Sequence, residues 1–239
     1  MTTHEFMVAE RGNVATIDLN RPDEGNALTR PMMIELAAAI RACGDREENR
    51  LVAIRASGSH FCRGRDGRGE PKDYPSPWER RTQAMGAVLG VYDAIAACPV
   101  PVAAFVQGPA IGFGAALAGA CDITLASAAA SFAFSEIEHG IPPTMAMAAV
   151  IRNVPRKALG YLIYSAETVG AEEARALGLA SKVLPAEGFD AAAEAFAAGL
   201  ARRPRLVLET IKRFQAGAEG LSPQMLSEYA GTLLALVRS

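Results

Sequence analysis

The chain has 239 residues, 50% of them hydrophobic and 21% charged, with a formal net charge of −2. That suits one globular domain, or one with a small appendage, and provides chain enough for a sizeable core. The charge balance excludes a bulk electrostatic case for nucleic acid or an acidic membrane, no uninterrupted apolar run is long enough to span a bilayer, and "MTTHEFMVAERG" lacks the h-region of a secretory signal, so a cytoplasmic protein is expected.

"FMVAE" and "VATIDLN" read as two strands joined by a hairpin turn at "RGN". "ALTRPMMIELAAAIRACG" reads as a helix. Thr29 is placed to cap it, Pro31 lies in its first turn, Gly44 ends it, and Met33, Leu36, Ala37 and Ile40 form an apolar stripe. "LVAIRA" at 51–56 reads as a buried strand that runs into the polar turn "SGSHFCRGRDG". Residues 67–80, with three prolines and mixed charge, read as a loop. A helix is expected over about 81–97, followed by the strand "PVAAFVQ" and a run of small residues, "GPAIGFGAALAGACD". "DITLAS" reads as a strand, and "SFAFSEIEHGIPP" as a short strand plus a turn. Helices are expected near 156–164, 171–177, 189–202 and 205–216, and a last one over about 223–237, opened by Ser222 as N-cap and Pro223 at its first position. Strands dominate the first half and helices the second. The order predicts an α/β core over 1–185 and a helical region over 186–239 used for association.

Cys43, Cys62, Cys98 and Cys121 form no CxxC pair, so reduced thiols are expected. A metal site on His60 and Cys62 lacks a second ligand pair at recognised spacing, and none is expected.

Three segments carry candidate chemistry. Gly112 and Gly114 stand at a strand-to-helix junction, where a helix start presents unpaired N–H groups to an oxyanion or phosphate. The alternative is close helix packing, in which Gly and Ala are simply the residues that fit. A dinucleotide fingerprint fails because Leu117 occupies its third small position. No lysine of Walker type follows and no GxSxG occurs. "GSHFCRGRDG" is a second glycine-containing turn, in which Gly64 frees the backbone so that the Arg65 N–H can face a ligand; the alternative is a charged surface loop. In "FAFSEIEHG", Glu136 follows an apolar, aromatic strand that can alter its basicity, whereas Glu138 and His139 read as solvated turn residues.

Together these segments resemble the crotonase family, the enoyl-CoA hydratase/isomerase superfamily. "LNRPDEGNAL" resembles its N-terminal signature, "ASGSHFCRGRDG" its first oxyanion segment and "PVAAFVQGPAIGFGAALAGACDITLAS" its second. "FAFSEIEHGIPP" resembles its catalytic-glutamate segment, and "ETVGAEEARALGLASKVLP" its downstream helix-turn-strand. The resemblance implies a spiral of ββα units, a C-terminal helical region that packs protomers into homotrimers or hexamers, and an acyl-CoA thioester substrate. It implies an oxyanion hole made by the backbone N–H groups of Arg65 and Phe113, with Ala27, Arg63, Gly64, Asp66, Gly112 and Ala116 around the substrate. No metal or redox cofactor is implied, coenzyme A being part of the substrate.

Family hydratases usually carry two glutamates. Glu136 matches the later one, and the earlier falls on Ala116, which is neither acid nor base. Hydration needs a water activated and a proton delivered, whereas a double-bond shift needs one base that returns its proton nearby. The resemblance therefore favours Δ3,Δ2-enoyl-CoA isomerisation with Glu136 as the lone proton shuttle. The alternatives are an enoyl-CoA hydratase using Glu138 or a residue of the 67–80 loop as second acid, and a noncatalytic acyl-CoA-binding oligomer. Phe113 stands where the family often has glycine, and its ring is expected to narrow the acyl pocket. The sequence stops at Ser239 without the basic tail with which many relatives cover their ligand, so altered coenzyme A contacts are expected.

Overall fold

The computed structural model describes residues 2–238 other than His4 and Lys72; Lys72 of the 67–80 loop and Ser239 thus lie outside the described residues. In chain order the strands are β1 (Thr2–Thr3), β2 (Phe6–Arg11), β3 (Val14–Leu19), β4 (Leu51–Ala56), β5 (Val102–Val106), β6 (Ala110–Ile111), β7 (Ile123–Ser127), β8 (Ser131–Ala133), β9 (Val169–Gly170) and β10 (Lys182–Leu184). The α-helices are α1 (Arg30–Asp45), α2 (Pro77–Glu79), α3 (Gly86–Ala97), α4 (Phe113–Ala120), α5 (Thr144–Val150), α6 (Arg156–Ser165), α7 (Ala171–Ala176), α8 (Phe189–Ala201), α9 (Arg205–Gly217) and α10 (Pro223–Arg238). Among the described residues no helix is long and apolar enough to cross a membrane.

The expected hairpin is present. Gly12 and Asn13 take positive φ (58° and 67°), as a two-residue type I′ turn requires. The main sheet runs β1-β2-β3-β4-β5-β7-β10, with parallel pairing from β3 onward; in the smaller sheet β6 pairs with β8 in parallel and β8 with β9 antiparallel. Parallel strands are covered on both faces and so read as continuous apolar runs; "LVAI" and "VAAFV" are fully buried. Alternate residues serve different layers. Val52, Ile54, Val102, Ala104 and Val106 face the main core beneath α1, α3 and α4, whereas Leu51, Ala53, Ala103 and Phe105 face α8 through Phe189, Ala193 and Ala197.

Several boundaries differ from those expected. Gly44 is not the helix end but the second-last residue of α1, and glycine fits there because a Cβ would lie 2.5 Å from the Cys98 sulfur. Thr29 makes no side-chain cap. The carbonyls at the far end of α1 are filled instead by the Arg205 guanidinium, which reaches the Gly44, Arg46 and Asn49 oxygens, and by the Asn49 amide on Cys43. Helical structure starts four residues earlier than expected, at Pro77 behind the Ser76 cap, and passes through a π-helical stretch, Arg80–Met85, before α3. Helix α5 follows directly on two prolines that read as a turn. At the last helix the expected cap is present: the Met225 N–H donates to Ser222 Oγ at 3.3 Å.

Candidate active site

A second, smaller ladder gathers the candidate residues. Cys62 bridges Ala110 in parallel, and Ala110 pairs with Phe132 in parallel. Counting on from these aligned positions, three residues lead to Arg65, three to Phe113 and four to Glu136. Residues distant in sequence therefore emerge at the same, carboxyl-terminal end of neighbouring strands, where α/β folds present ligand sites.

The first turn is fixed by its own backbone. Leu28 N–H donates to the Gly64 carbonyl (3.0 Å) and Asp66 N–H to the Leu28 carbonyl (2.8 Å). In a parallel bridge of this kind the intervening residue, Arg65, turns its N–H to the opposite side. Gly64 takes φ 108°, and its N–H reaches the Cys62 sulfur at 3.4 Å. Burial pushes the Cys62 thiol up to about 12, so it holds the turn as a neutral group.

The second turn packs against the first. Gly112 precedes α4 with φ 54°, ψ −117°, and its N–H donates to Ala133 (2.8 Å). The Phe113 N–H is then the first of the helix and has no intrahelical acceptor. A Cβ at Gly114 would overlap the Cys62 carbonyl, and one at Gly64 would stand 3.8 Å from the Phe113 nitrogen. The small-residue run is thus at least packing: Gly108, Gly114 and Gly119 allow close approach, and the start of α4 at Phe113 lies against the Gly64 turn.

Glu136 opens a short 3-10 helix, Glu136–His139, just after β8. Its carboxylate lies against Gly112, with Oε1 3.2 Å from where a Cβ would be. It is half-buried, Oε2 is buried without a hydrogen-bond partner among the described residues, and desolvation raises its pKa above the ordinary carboxylate value. A desolvated carboxylate thus stands beside the Gly112 turn at the start of α4.

Ala116 is fully buried on the first turn of α4, its N–H donating to the Gly112 carbonyl at 3.0 Å. Ala27 precedes the Leu28–Arg65 bridge. The Arg63 side chain is exposed and passes over Gly25. The Asp66 carboxylate is occupied by Arg68 (2.6 Å) and Arg21 (3.4 Å), which hold it down at about 2. Glu138 and His139 are exposed, and Glu70 of the 67–80 loop is paired with Arg65 at 2.6 Å. His60 contacts Ser59 Oγ, and among the described residues no group of three His, Cys, Asp or Glu side chains is placed to hold a metal.

Tyr92 is a site neighbour that the sequence conceals. It is buried on α3, its ring stacks on Phe113, and burial, with the Glu136 charge beside it, keeps its phenol protonated. With Val88, Val91 and Ile95 it forms a helical stripe that reads as core; only the tertiary approach of α3 to α4 reveals it. The apolar groove of about 680 Å³ between α8 and α9, which Phe196, Leu200, Val207 and Ile211 help line, contains none of these groups.

Residues 9–229 match the family model for enoyl-CoA hydratase/isomerase. A Rhodobacter capsulatus protein named as a probable enoyl-CoA hydratase is 33% identical over 234 residues, 95% of this chain and 87% of that protein. The crystal structure of an enoyl-CoA hydratase from Mycobacterium smegmatis superimposes with TM-score 0.89 at 30% identity, covering 97% of this chain and 90% of that one. Human enoyl coenzyme A hydratase domain-containing protein 3 gives TM-score 0.89 at 25% identity, covering 97% and 90%. The α/β architecture is that of the crotonase fold, with its helical C-terminal region. The chain belongs to the enoyl-CoA hydratase/isomerase family, within the crotonase superfamily.

Proposed function

We propose that this protein moves a double bond in an acyl-CoA, converting a 3-enoyl-CoA to the conjugated 2-enoyl-CoA with Glu136 as its only proton carrier. The thioester oxygen is held by the N–H groups of Arg65 and Phe113. Glu136 takes a proton from the carbon next to the carbonyl, and the C–H electrons pass into a dienolate whose charge rests on that oxygen. The same proton then returns to the far end of the former double bond, and the thioester carbonyl reforms. Nothing is gained or lost. Preorganised donors aimed at the developing oxyanion supply most of the rate enhancement in chemistry of this kind.

The observation that carries this reading is the pairing of a desolvated Glu136 carboxylate against Gly112 with a bare methyl at Ala116, one helical turn further on. A raised pKa matches a group that must both accept and release a proton.

Hydration is the second reading, favoured by the name of the Rhodobacter capsulatus relative. It needs another acid, and Glu138 and Glu70, the latter paired with the Arg65 side chain, are the candidates. Self-association as a trimer or hexamer in the cytoplasm is part of the same proposal, supported by the exposed apolar side chains Leu206, Ile211, Met225, Leu234 and Leu236 on α9 and α10. The test is incubation with 3-enoyl-, 2-enoyl- and 3-hydroxyacyl-CoA, with products identified by mass and double-bond position. Interconversion of the two enoyl isomers supports isomerisation, gain of one water supports hydration, and binding without turnover marks a noncatalytic carrier.

A further inference from the structure

We infer that Tyr92 and Phe113 form an aromatic wall that closes the acyl side of this site and restricts it to short acyl chains; the inference rests on reading the Phe113 N–H as a donor to the thioester oxygen. Phe113 carries that N–H and the ring on one residue, so an acyl chain anchored at the first meets the second within a few bonds. The ring cannot swing aside. It is 4% exposed and stacked on Tyr92 with centroids 5.9 Å apart and planes at 24°. Tyr92 comes from a different helix, α3, which packs on α4, so the wall is anchored from two directions and both rings belong to the main core.

The stack also borders the proton-transfer group. Tyr92 is close enough to Glu136 and Arg65 for their charges to act on its hydroxyl. Its ring is thus turned inward onto Phe113 at the start of α4, not to the outer side of α3.

Each methylene buried in an apolar channel contributes about 0.8 kcal/mol, roughly a fourfold gain in affinity. A closed wall ends that series early, and removing either ring reopens it. Calorimetric dissociation constants for acetyl-, butanoyl-, hexanoyl-, octanoyl- and decanoyl-CoA measure this on the full chain. Saturated thioesters undergo neither isomerisation nor hydration, so the readout is independent of the reaction catalysed. Wild type should gain affinity up to butanoyl or hexanoyl and then level or fall. Phe113→Ala and Tyr92→Ala should bind octanoyl-CoA at least about tenfold more tightly than wild type, the equivalent of two methylenes. Tyr92→Leu, which keeps the site apolar, is the second variant if Tyr92→Ala does not fold. A wild type whose affinity keeps rising to decanoyl-CoA overturns the inference, as do folded variants with an unchanged length profile. Failure to bind any acyl-CoA overturns both this inference and the proposed function. The length signature without double-bond movement overturns the isomerisation alone.

Discussion

Gly114→Ala adds one methyl at the junction on which the site depends. The new Cβ would overlap the Cys62 carbonyl oxygen and stand 2.8 Å from the Cys62 carbonyl carbon. Those atoms cannot retreat freely, since the Cys62 carbonyl accepts the Ile111 N–H at 2.9 Å and the strand is bridged to Ala110. Helix α4 must move instead. Overpacking of this kind costs about 1–3 kcal/mol, or roughly 2–12 °C in Tm for a chain of this length. The same movement separates the Phe113 N–H from the Arg65 turn, and misplacement by about 1 Å costs on the order of 10²-fold in rate. Gly119→Ala is the control. Its Cβ meets Val150 Cγ1 at 2.6 Å and Leu179 Cδ2 at 3.3 Å, side chains about 7.5 Å further along the helix at 1.5 Å per residue. Thermal melts and turnover of 3-enoyl-CoA should show both variants destabilised and only Gly114→Ala crippled. A Gly114→Ala protein that melts and turns over like wild type refutes the packing argument, and equal loss of turnover in Gly119→Ala refutes its link to the site.

Glu136→Gln should keep its affinity for acyl-CoA and lose about 10²–10⁴ in turnover, the scale of a positioned acid/base; near wild-type rates would remove Glu136 from the mechanism. Because burial raises the folded-state pKa of Glu136 above its ordinary value, the folded state binds more protons between the two values, so this group's contribution to stability falls as pH rises through that window. The Tm of Glu136→Gln minus that of wild type should therefore grow with pH, and wild-type turnover should climb over the same range; a pH-independent difference would contradict the burial argument. Lys212, buried on α9, bonds Asp122 Oδ2 (2.7 Å) and the Ile95 (2.8 Å) and Val100 (3.2 Å) carbonyls. Lys212→Ala strands these partners and should cost about 3 kcal/mol, or roughly 6–12 °C, with turnover per folded molecule retained; an unchanged Tm would show the tie to be dispensable. Native mass spectrometry should find trimers or hexamers that Met225→Glu and Leu236→Glu weaken, and a wild-type monomer at micromolar concentration would contradict the association.

Local chemistry made much of the fold legible. The Gly12–Asn13 turn, the stripe of α1, the apolar runs of β4 and β5 and the Ser222 cap each follow from a few adjacent residues, and each is present. What lay hidden depends on distant partners. Gly44 reads as a helix end until Cys98 is brought against it, and α5 is masked by the prolines before it. In the candidate site, Arg65, Phe113 and Glu136 are singled out by the resemblance of whole segments to the family. The reason they meet is not legible there: it lies in the Cys62–Ala110–Phe132 register, which no segment contains alone. Tyr92 was invisible for the same reason, as was the pairing of buried Lys212 with Asp122, 90 residues apart in sequence.

The central claim is geometric: the Arg65 and Phe113 N–H groups hold a thioester oxygen while Glu136 faces the adjacent carbon. A crystal structure of Glu136→Gln with 3-hexenoyl-CoA bound tests it most directly, because the variant holds the substrate without consuming it. The thioester oxygen should lie about 2.7–3.1 Å from both main-chain nitrogens, with the carbon between carbonyl and double bond against the side chain at 136. A thioester bound with its oxygen on any other pair of donors, or with that carbon turned away from position 136, would contradict it.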